Sequence, residues 1–239
     1  MTDDVALTAT DLRRSYGDVT ALDGVSIDVA TDSVTALIGP NGSGKTTLLE
    51  VLLGIERSDA GTVDYGESDA RRQVGYLPQR PTFRPDDTVR ETIAFYAALV
   101  EDDPDRLLER VGLDTVPDRR VSALSGGMTR LLGIAQALAG DPPILALDEP
   151  ASGLDPAVSD RIFGVVDSLA ADGRTVLLTS HALSLVERTA DHVVVVEAGG
   201  VAARGSPAAL CERTGGPLHE TFTDLLSEPT AAVGGGGES

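Results

Sequence analysis

Gly39-Pro40-Asn41-Gly42-Ser43-Gly44-Lys45-Thr46 is the stretch that decides how this chain folds. It matches G-x-x-x-x-G-K-[ST], in which the backbone N–H groups of a glycine-rich loop wrap a polyphosphate, a lysine reaches the β and γ oxygens, and a hydroxyl holds Mg²⁺. The preceding run, Val34-Thr35-Ala36-Leu37-Ile38, is apolar and β-branched and predicts a strand. The following run, Thr46-Thr47-Leu48-Leu49-Glu50-Val51-Leu52-Leu53, predicts a buried helix ended by Gly54. The loop is thus expected between a strand and a helix N-terminus, where the dipole and free N–H groups favour an anion.

Lys45 is the only lysine in the chain, since 18 of the 19 basic residues are arginine. Lysine survives where a phosphate site needs a compact ammonium charge. The 239 residues suffice for one large domain, or a core with a smaller lobe. A formal net charge of -19 argues against nucleic acid as a partner, which calls for a basic surface. With so few lysines, that charge suggests an acidic surface adapted to concentrated salt, which screens self-repulsion. One cysteine, Cys211, permits no internal disulfide and fits a reducing cytosol. The acidic start, Met1-Thr2-Asp3-Asp4, is unlike a signal peptide, and no apolar run is long enough to predict a membrane span.

Outward from the loop, short strands are expected at 5–9 and 25–29 with a turn near Gly17-Asp18, and Tyr16 in that turn could stack on an adenine face or be half-buried at a strand end. Two more strands are expected at 61–65 and 73–77, the second closing on Pro78-Gln79. From 80 to 140 the pattern is helical, marking an inserted lobe. A capping box, Thr88-Val89-Arg90-Glu91, opens its first helix, and Pro104 starts its second. Ser125 suits an N-cap, and Gly126 and Gly127 leave the next first-turn N–H groups free of side chains. Two anion-seeking helix starts with one set of terminal phosphates suggest that the second serves a nucleotide held by another copy or a related chain.

Strand-helix alternation then resumes. Ile144-Leu145-Ala146-Leu147 predicts a buried strand, with Asp148 and Glu149 at the end where ligands of parallel sheets collect. Asp148 suits Mg²⁺, and Glu149 suits orienting or deprotonating a water. Asp155-Pro156 opens a further helix as N-cap and first residue. His181 follows the strand expected at 174–179, on the same sheet edge as the two acids, where imidazole can contact a γ-phosphate or hold the water. Two closing strands at 191–197 and 200–204 and short helices at 206–213 and 218–226 complete the pattern.

In this order the residues closely resemble the nucleotide-binding subunit of an ATP-binding cassette (ABC) transporter, over about 5–213. The resemblance rests on Tyr16 as adenine-stacking aromatic, the Walker A loop 39–46, Gln79 of the Q-loop, the signature at 124–128, Walker B at 144–149, and the D-loop at 152–155 with the switch histidine His181. It implies an α/β fold: a P-loop NTPase core whose mostly parallel sheet is flanked by helices, with an N-terminal antiparallel β part and an inserted α-helical subdomain. A single domain over 1–227 is expected, with core at 5–79 and 141–213, helical subdomain at about 80–140, and a disordered tail at 228–239. The implied activity is Mg-dependent ATP hydrolysis. Gly39, Pro40, Asn41, Gly42, Ser43, Gly44, Lys45, Thr46 and Thr47 would hold the nucleotide, and Thr46, Gln79 and Asp148 would coordinate Mg. Glu149 would be the general base and His181 the γ-phosphate sensor. Ser125, Gly126, Gly127 and Asp155 would close over the ATP of an opposite cassette. Implied partners are that second cassette, as a homodimer or related chain, and a transmembrane permease subunit docked at the helical lobe. The implied location is cytoplasmic, peripheral on the inner face of the cell membrane.

Two departures carry information. Met128 stands where glutamine is commoner in the signature, removing a polar contact to the partner's nucleotide. The Ala151-Ser152-Gly153-Leu154-Asp155-Pro156 run resembles cassettes paired with ABC-2-type membrane subunits, often exporters, and with Met128 is similar, more weakly, to cassettes linked to copper and nitrous-oxide-reductase maturation. A soluble ABC protein of translation or repair usually carries two cassettes or a long coiled coil, and the 45 positions from Gln79 to Leu124 hold only a helical lobe. A regulatory cassette with little turnover is the other alternative, opposed by Glu149 and His181. The transported substrate is not written in these residues.

Overall fold

The computed structural model of the chain describes residues 5–66, 70 and 72–227, so the tail expected to be disordered at 228–239 lies outside the described residues. The order is β1 (Val5–Tyr16), β2 (Val19–Ala30), β3 (Val34–Ile38), α1 (Lys45–Leu52), β4 (Ala60–Tyr65) and β5 (Val74–Leu77). A helical stretch follows: α2 (Val89–Val100), α3 (Pro104–Arg110), a 3₁₀ turn (Val121–Ala123) and α4 (Gly126–Leu138). Then come β6 (Ile144–Asp148), α5 (Pro156–Ala171), β7 (Thr175–Thr179), α6 (Leu183–Thr189), β8 (His192–Glu197), β9 (Gly200–Gly205), α7 (Pro207–Thr214) and α8 (Leu218–Ser227).

Two sheets form. A six-stranded sheet has the order β5-β6-β7-β3-β8-β9, parallel except for β9 against β8, and β2-β1-β4 make a separate antiparallel sheet. Strands β3, β6 and β7 are buried along their whole length because both faces are covered, which is why they read as continuous apolar runs. The strand period of two still sorts their side chains. Ala36, Ile38, Leu145, Leu147, Val176 and Leu178 join the core shared with α4, α5 and the helical lobe. Leu37, Ile144, Ala146, Leu177 and Val194 join a second core with β1, β2 and α1. Helix α1 therefore lies between the two sheets, and the loop before it is held from both sides.

Several starts and stops follow local chemistry. Thr88 and Glu91 form the capping box of α2, Asp103 and Pro104 open α3, and Asp155 and Pro156 open α5. The first two strands depart from expectation: each is 12 residues long, not a five-residue segment, and Tyr16 is the last residue of β1. Register shifts near Ala9/Leu12 and Arg14/Ser15, with Asp11 at φ 49°, interrupt the alternation of side chains while pairing continues. Helix α6 also went unread. It is seven residues long, has no side-chain cap, and buries only Leu185 and Val186, too weak a periodic signal. Among the described residues no helix is long and apolar enough to cross a membrane.

Candidate nucleotide-binding site

The C-terminal ends of β3, β6 and β7 lie side by side, and each contributes a polar segment to one cleft. Lys45 and Thr46 come from the loop and α1, Glu149 follows β6, and His181 follows β7. The cleft measures about 340 Å³, and Tyr16, Asn41, Gly42, Gly44, Lys45, Thr46, Thr47, Gln79, Glu149 and His181 are among its lining residues. Residues from five separate parts of the chain thus meet where an open parallel sheet places its ligands.

The loop geometry suits an anion. Gly44 has φ 103°, and a Cβ there would lie 2.4 Å from the Ala21 carbonyl oxygen, so only glycine fits. No side chain caps α1, and its first N–H groups are left for a ligand. The Lys45 ammonium is buried and donates to the carbonyls of Gly39 (2.8 Å) and Pro40 (2.9 Å). Burial pulls its pKa below the ordinary lysine value, against the opposing pull of Glu149 and Asp148. Ser43 Oγ is buried without a hydrogen-bond partner among the described residues. An orphaned hydroxyl inside a loop of this shape is what a bound phosphate oxygen would satisfy.

The acidic end is organised by a residue the sequence reading missed. Thr179 is fully buried at the end of β7, its Oγ1 donates to Asp148 Oδ1 (2.6 Å) and accepts from the Glu149 N–H (2.8 Å). Asp148 is thereby aimed at Thr46, whose Oγ1 lies 3.4 Å from both carboxylate oxygens. A hydroxyl and a carboxylate facing each other form a hard-oxygen pair that fits a small divalent cation, with the Gln79 amide on the cleft wall as a third donor. The signal for Thr179 was a hydroxyl residue at the C-terminal end of the apolar run Val176-Leu177-Leu178.

Glu149 adopts a left-handed backbone conformation, φ 48°, uncommon outside glycine. Its side chain is buried, with Oε1 3.2 Å from His181 Nε2 but outside hydrogen-bonding geometry, so this oxygen has no hydrogen-bond partner among the described residues. Burial raises its pKa above the ordinary glutamate value; His181 and Lys45 pull it down and Asp148 adds to the rise. An under-satisfied carboxylate beside a phosphate-binding loop is chemically suited to accept a proton from water.

The remaining candidates sit elsewhere. Ser125, Gly126 and Gly127 cap and begin α4, with Ser125 Oγ accepting from the Met128 N–H (3.3 Å), and they do not line the cleft. Asp155 is also outside it and accepts from the Val158 N–H (3.1 Å) at the start of α5. Gly127 has a structural reason of its own: a Cβ would lie 2.2 Å from Val158 Cγ1, so it allows α4 and α5 to touch. Arg130, on α4 and buried, donates to the carbonyls of Pro78 (3.3 Å) and Gln79, linking the signature helix to the Q-loop backbone. Sequence reading gave no hint of that link, because arginine on a helix is usually a surface residue.

A phosphate-binding loop on a parallel sheet, facing two acids and a histidine, defines a P-loop nucleotide-binding protein. The ABC transporter family model matches residues 22–152. The Nod factor export ATP-binding protein I of Paraburkholderia xenovorans (strain LB400) is 43% identical over 213 residues, covering 83% of this chain and 70% of that protein. The protein of the same name from Ralstonia nicotianae (strain ATCC BAA-1114 / GMI1000) is 40% identical over 229 residues, covering 90% and 70%. Among solved structures, the ATP-binding subunit of an ABC transporter superposes with a TM-score of 0.79 at 28% identity, covering 93% of this chain and 100% of that one. A cassette of an ABC transporter in its ADP conformation gives 0.79 at 28% identity, covering 92% and 95%. The chain belongs to the ABC transporter family, as an ATP-binding subunit that hydrolyses ATP and works with a membrane subunit.

Proposed function

We propose that this cassette powers export through a separate permease of the ABC-2 type, held at the inner face of the cell membrane, and that it works as one half of a head-to-tail ATP sandwich. Export is supported by the names of the relatives, which are export ATP-binding proteins, and by the 151–156 run. On this reading Tyr16 stacks on the adenine, while Lys45, Ser43 and the loop amides bind the phosphates. Thr46, Asp148 and Gln79 hold Mg²⁺, which when bound neutralises phosphate charge and polarises the γ-phosphoryl group. Glu149 takes the proton of the attacking water, and His181 contacts the γ-phosphate and keeps the Glu149 carboxylate oriented. Ser125, Gly126, Gly127 and Asp155 complete the site of a facing cassette.

The observation that carries this reading is the division of the motif residues into two places. The loop, Glu149 and His181 share one cleft, with Asp148 against Thr46 at its edge, while the signature serine and glycines, also at a helix start, lie outside it. One chain therefore supplies both halves of a composite site without joining them. On the helical lobe, α2 exposes Phe95 and Leu99, one turn apart, beside a recess lined by Phe83, Arg84, Asp87 and Glu91. That apolar face is the surface assigned to the permease. Glu149→Gln tests the centre of the proposal: it should bind ATP, form a stable dimer on size-exclusion chromatography, and lose turnover by about 10²–10⁴-fold. Retention of wild-type turnover would remove the general-base role.

A further inference from the structure

The nucleobase end of the cleft contains an arrangement that none of the motifs accounts for. Tyr16 closes β1, is 45% exposed, and lines the cleft. The Arg14 guanidinium lies over one face of that ring, with Cζ 4.7 Å from the centroid. It is fixed there by two carboxylates: Nη2 is 2.8 Å from Glu56 Oε1 and Nη1 is 2.9 Å from Asp59 Oδ1. Asp59 is strapped to the same strand end, accepting from the Ser15 N–H (2.7 Å) and donating its own N–H to the Arg13 carbonyl (2.7 Å).

We propose that Arg14 is a positioning residue for the nucleobase of ATP: held by Glu56 and Asp59, it occupies one face of the Tyr16 ring and presents the other to adenine. This rests on the reading of Tyr16 as the stacking residue. An exposed tyrosine at a strand end otherwise turns about its side-chain bonds, and that freedom is lost when a base stacks on it. A planar guanidinium forked between two carboxylates and lying on the ring removes the freedom before the nucleotide arrives. Glu56 and Asp59 lie in the segment after α1, so the helix that begins at the phosphate loop also leads into the support of the base platform. The phosphate and base ends of the site are thereby braced by one stretch of chain.

The test is a set of equilibrium dissociation constants for ATP and for tripolyphosphate, which has the phosphates without the base, on the intact protein and its variants. Arg14→Gln is expected to weaken ATP by about two- to tenfold, the cost of one immobilised side chain, and to leave tripolyphosphate unchanged. Glu56→Gln should move ATP in the same direction by less. Tyr16→Ala should weaken ATP by about five- to 100-fold, and adding Arg14→Gln to it should cost nothing more, because Arg14 acts through the ring. Equal weakening of both ligands by Arg14→Gln, or an undiminished loss in the Tyr16→Ala background, would overturn the proposal. If Tyr16→Ala weakens ATP and Arg14→Gln does not, the positioning role fails and the stacking role stands. If Tyr16→Ala leaves ATP binding untouched, the stacking role fails and the proposal falls with it.

Discussion

Glu149 carries two costs at once, a left-handed backbone and a buried carboxylate, and both fall on the atom group proposed to receive a proton. Because its folded pKa is raised mainly by burial, the neutral form is favoured in the fold. The stability this contributes is full below the unfolded glutamate value and is lost as pH rises through the folded one. Glu149→Gln should therefore raise the thermal midpoint at neutral pH, and the gain should vanish below about pH 4, where the wild-type carboxyl is protonated in both states. Calorimetry on both proteins across that range checks the sign; a variant less stable at neutral pH would show that ion pairing with His181 and Lys45 outweighs burial. Turnover should climb with pH as Glu149 ionises, with its acid limb above the ordinary glutamate range. Much at this scale was legible in sequence, since Lys45, Thr46, Asp148, Glu149 and His181 each occupy a motif position and the structure gathers all five around one site. Thr179 and Arg130 were not, because their importance lies in whom they face across strands and helices distant in the chain.

Helix α4 does two jobs that compete for the same residue type. On the proposed function its first turn stays bare to receive an anion, and its Gly127 also admits Val158 of α5 at close range. Gly127→Ala should cost about 1–3 kcal/mol by overpacking, read from the shift in a urea midpoint, and Val158→Ala in the same chain should recover most of it. Failure of the second substitution to help would show that the Val158 contact is not what the glycine relieves, and an unchanged urea midpoint for Gly127→Ala would leave its role to the ligand. Arg130 ties α4 to the Q-loop carbonyls, and Arg130→Met, which keeps the volume and removes the donors, should lower turnover more than it lowers ATP affinity by loosening Gln79. A titration of ATP binding beside steady-state rates separates the two. Helices and central strands were readable because caps, prolines and burial on both faces are written locally. The ends of β1 and β2 were not, since bulged pairing at polar residues is decided by the partner strand.

The whole molecule bears a formal net charge of -19, so its self-repulsion depends on salt. Its thermal midpoint should rise steadily from low to molar KCl as screening shortens, and a fold equally stable at both ends would contradict the adaptation inferred from composition. The proposed composite site makes a sharper demand. Chains carrying Ser125→Arg and chains carrying Lys45→Ala should each be inactive alone. Mixed in equal amounts, with random pairing of copies, they should regain about a quarter of wild-type hydrolysis, because mixed dimers assemble one site with both halves intact. No recovery on mixing would mean that the mate is a different chain or that a single intact site cannot turn over.

The sequence by itself determined the phosphate loop, the acids and histidine that go with it, the order of strands and helices apart from α6, and the family, because each depends on residue types at short fixed spacings. Tertiary structure alone decided that Thr179 aims Asp148 at Thr46, that Arg130 grips the Q-loop, and that Arg14 lies on the Tyr16 ring between two carboxylates. Apart from the short step from Arg14 to Tyr16, those contacts join residues far apart along the chain, Arg14 to Glu56 and Asp59 included. Their geometry is set by how two sheets pack around α1 and how α4 and α5 meet, which no local pattern encodes.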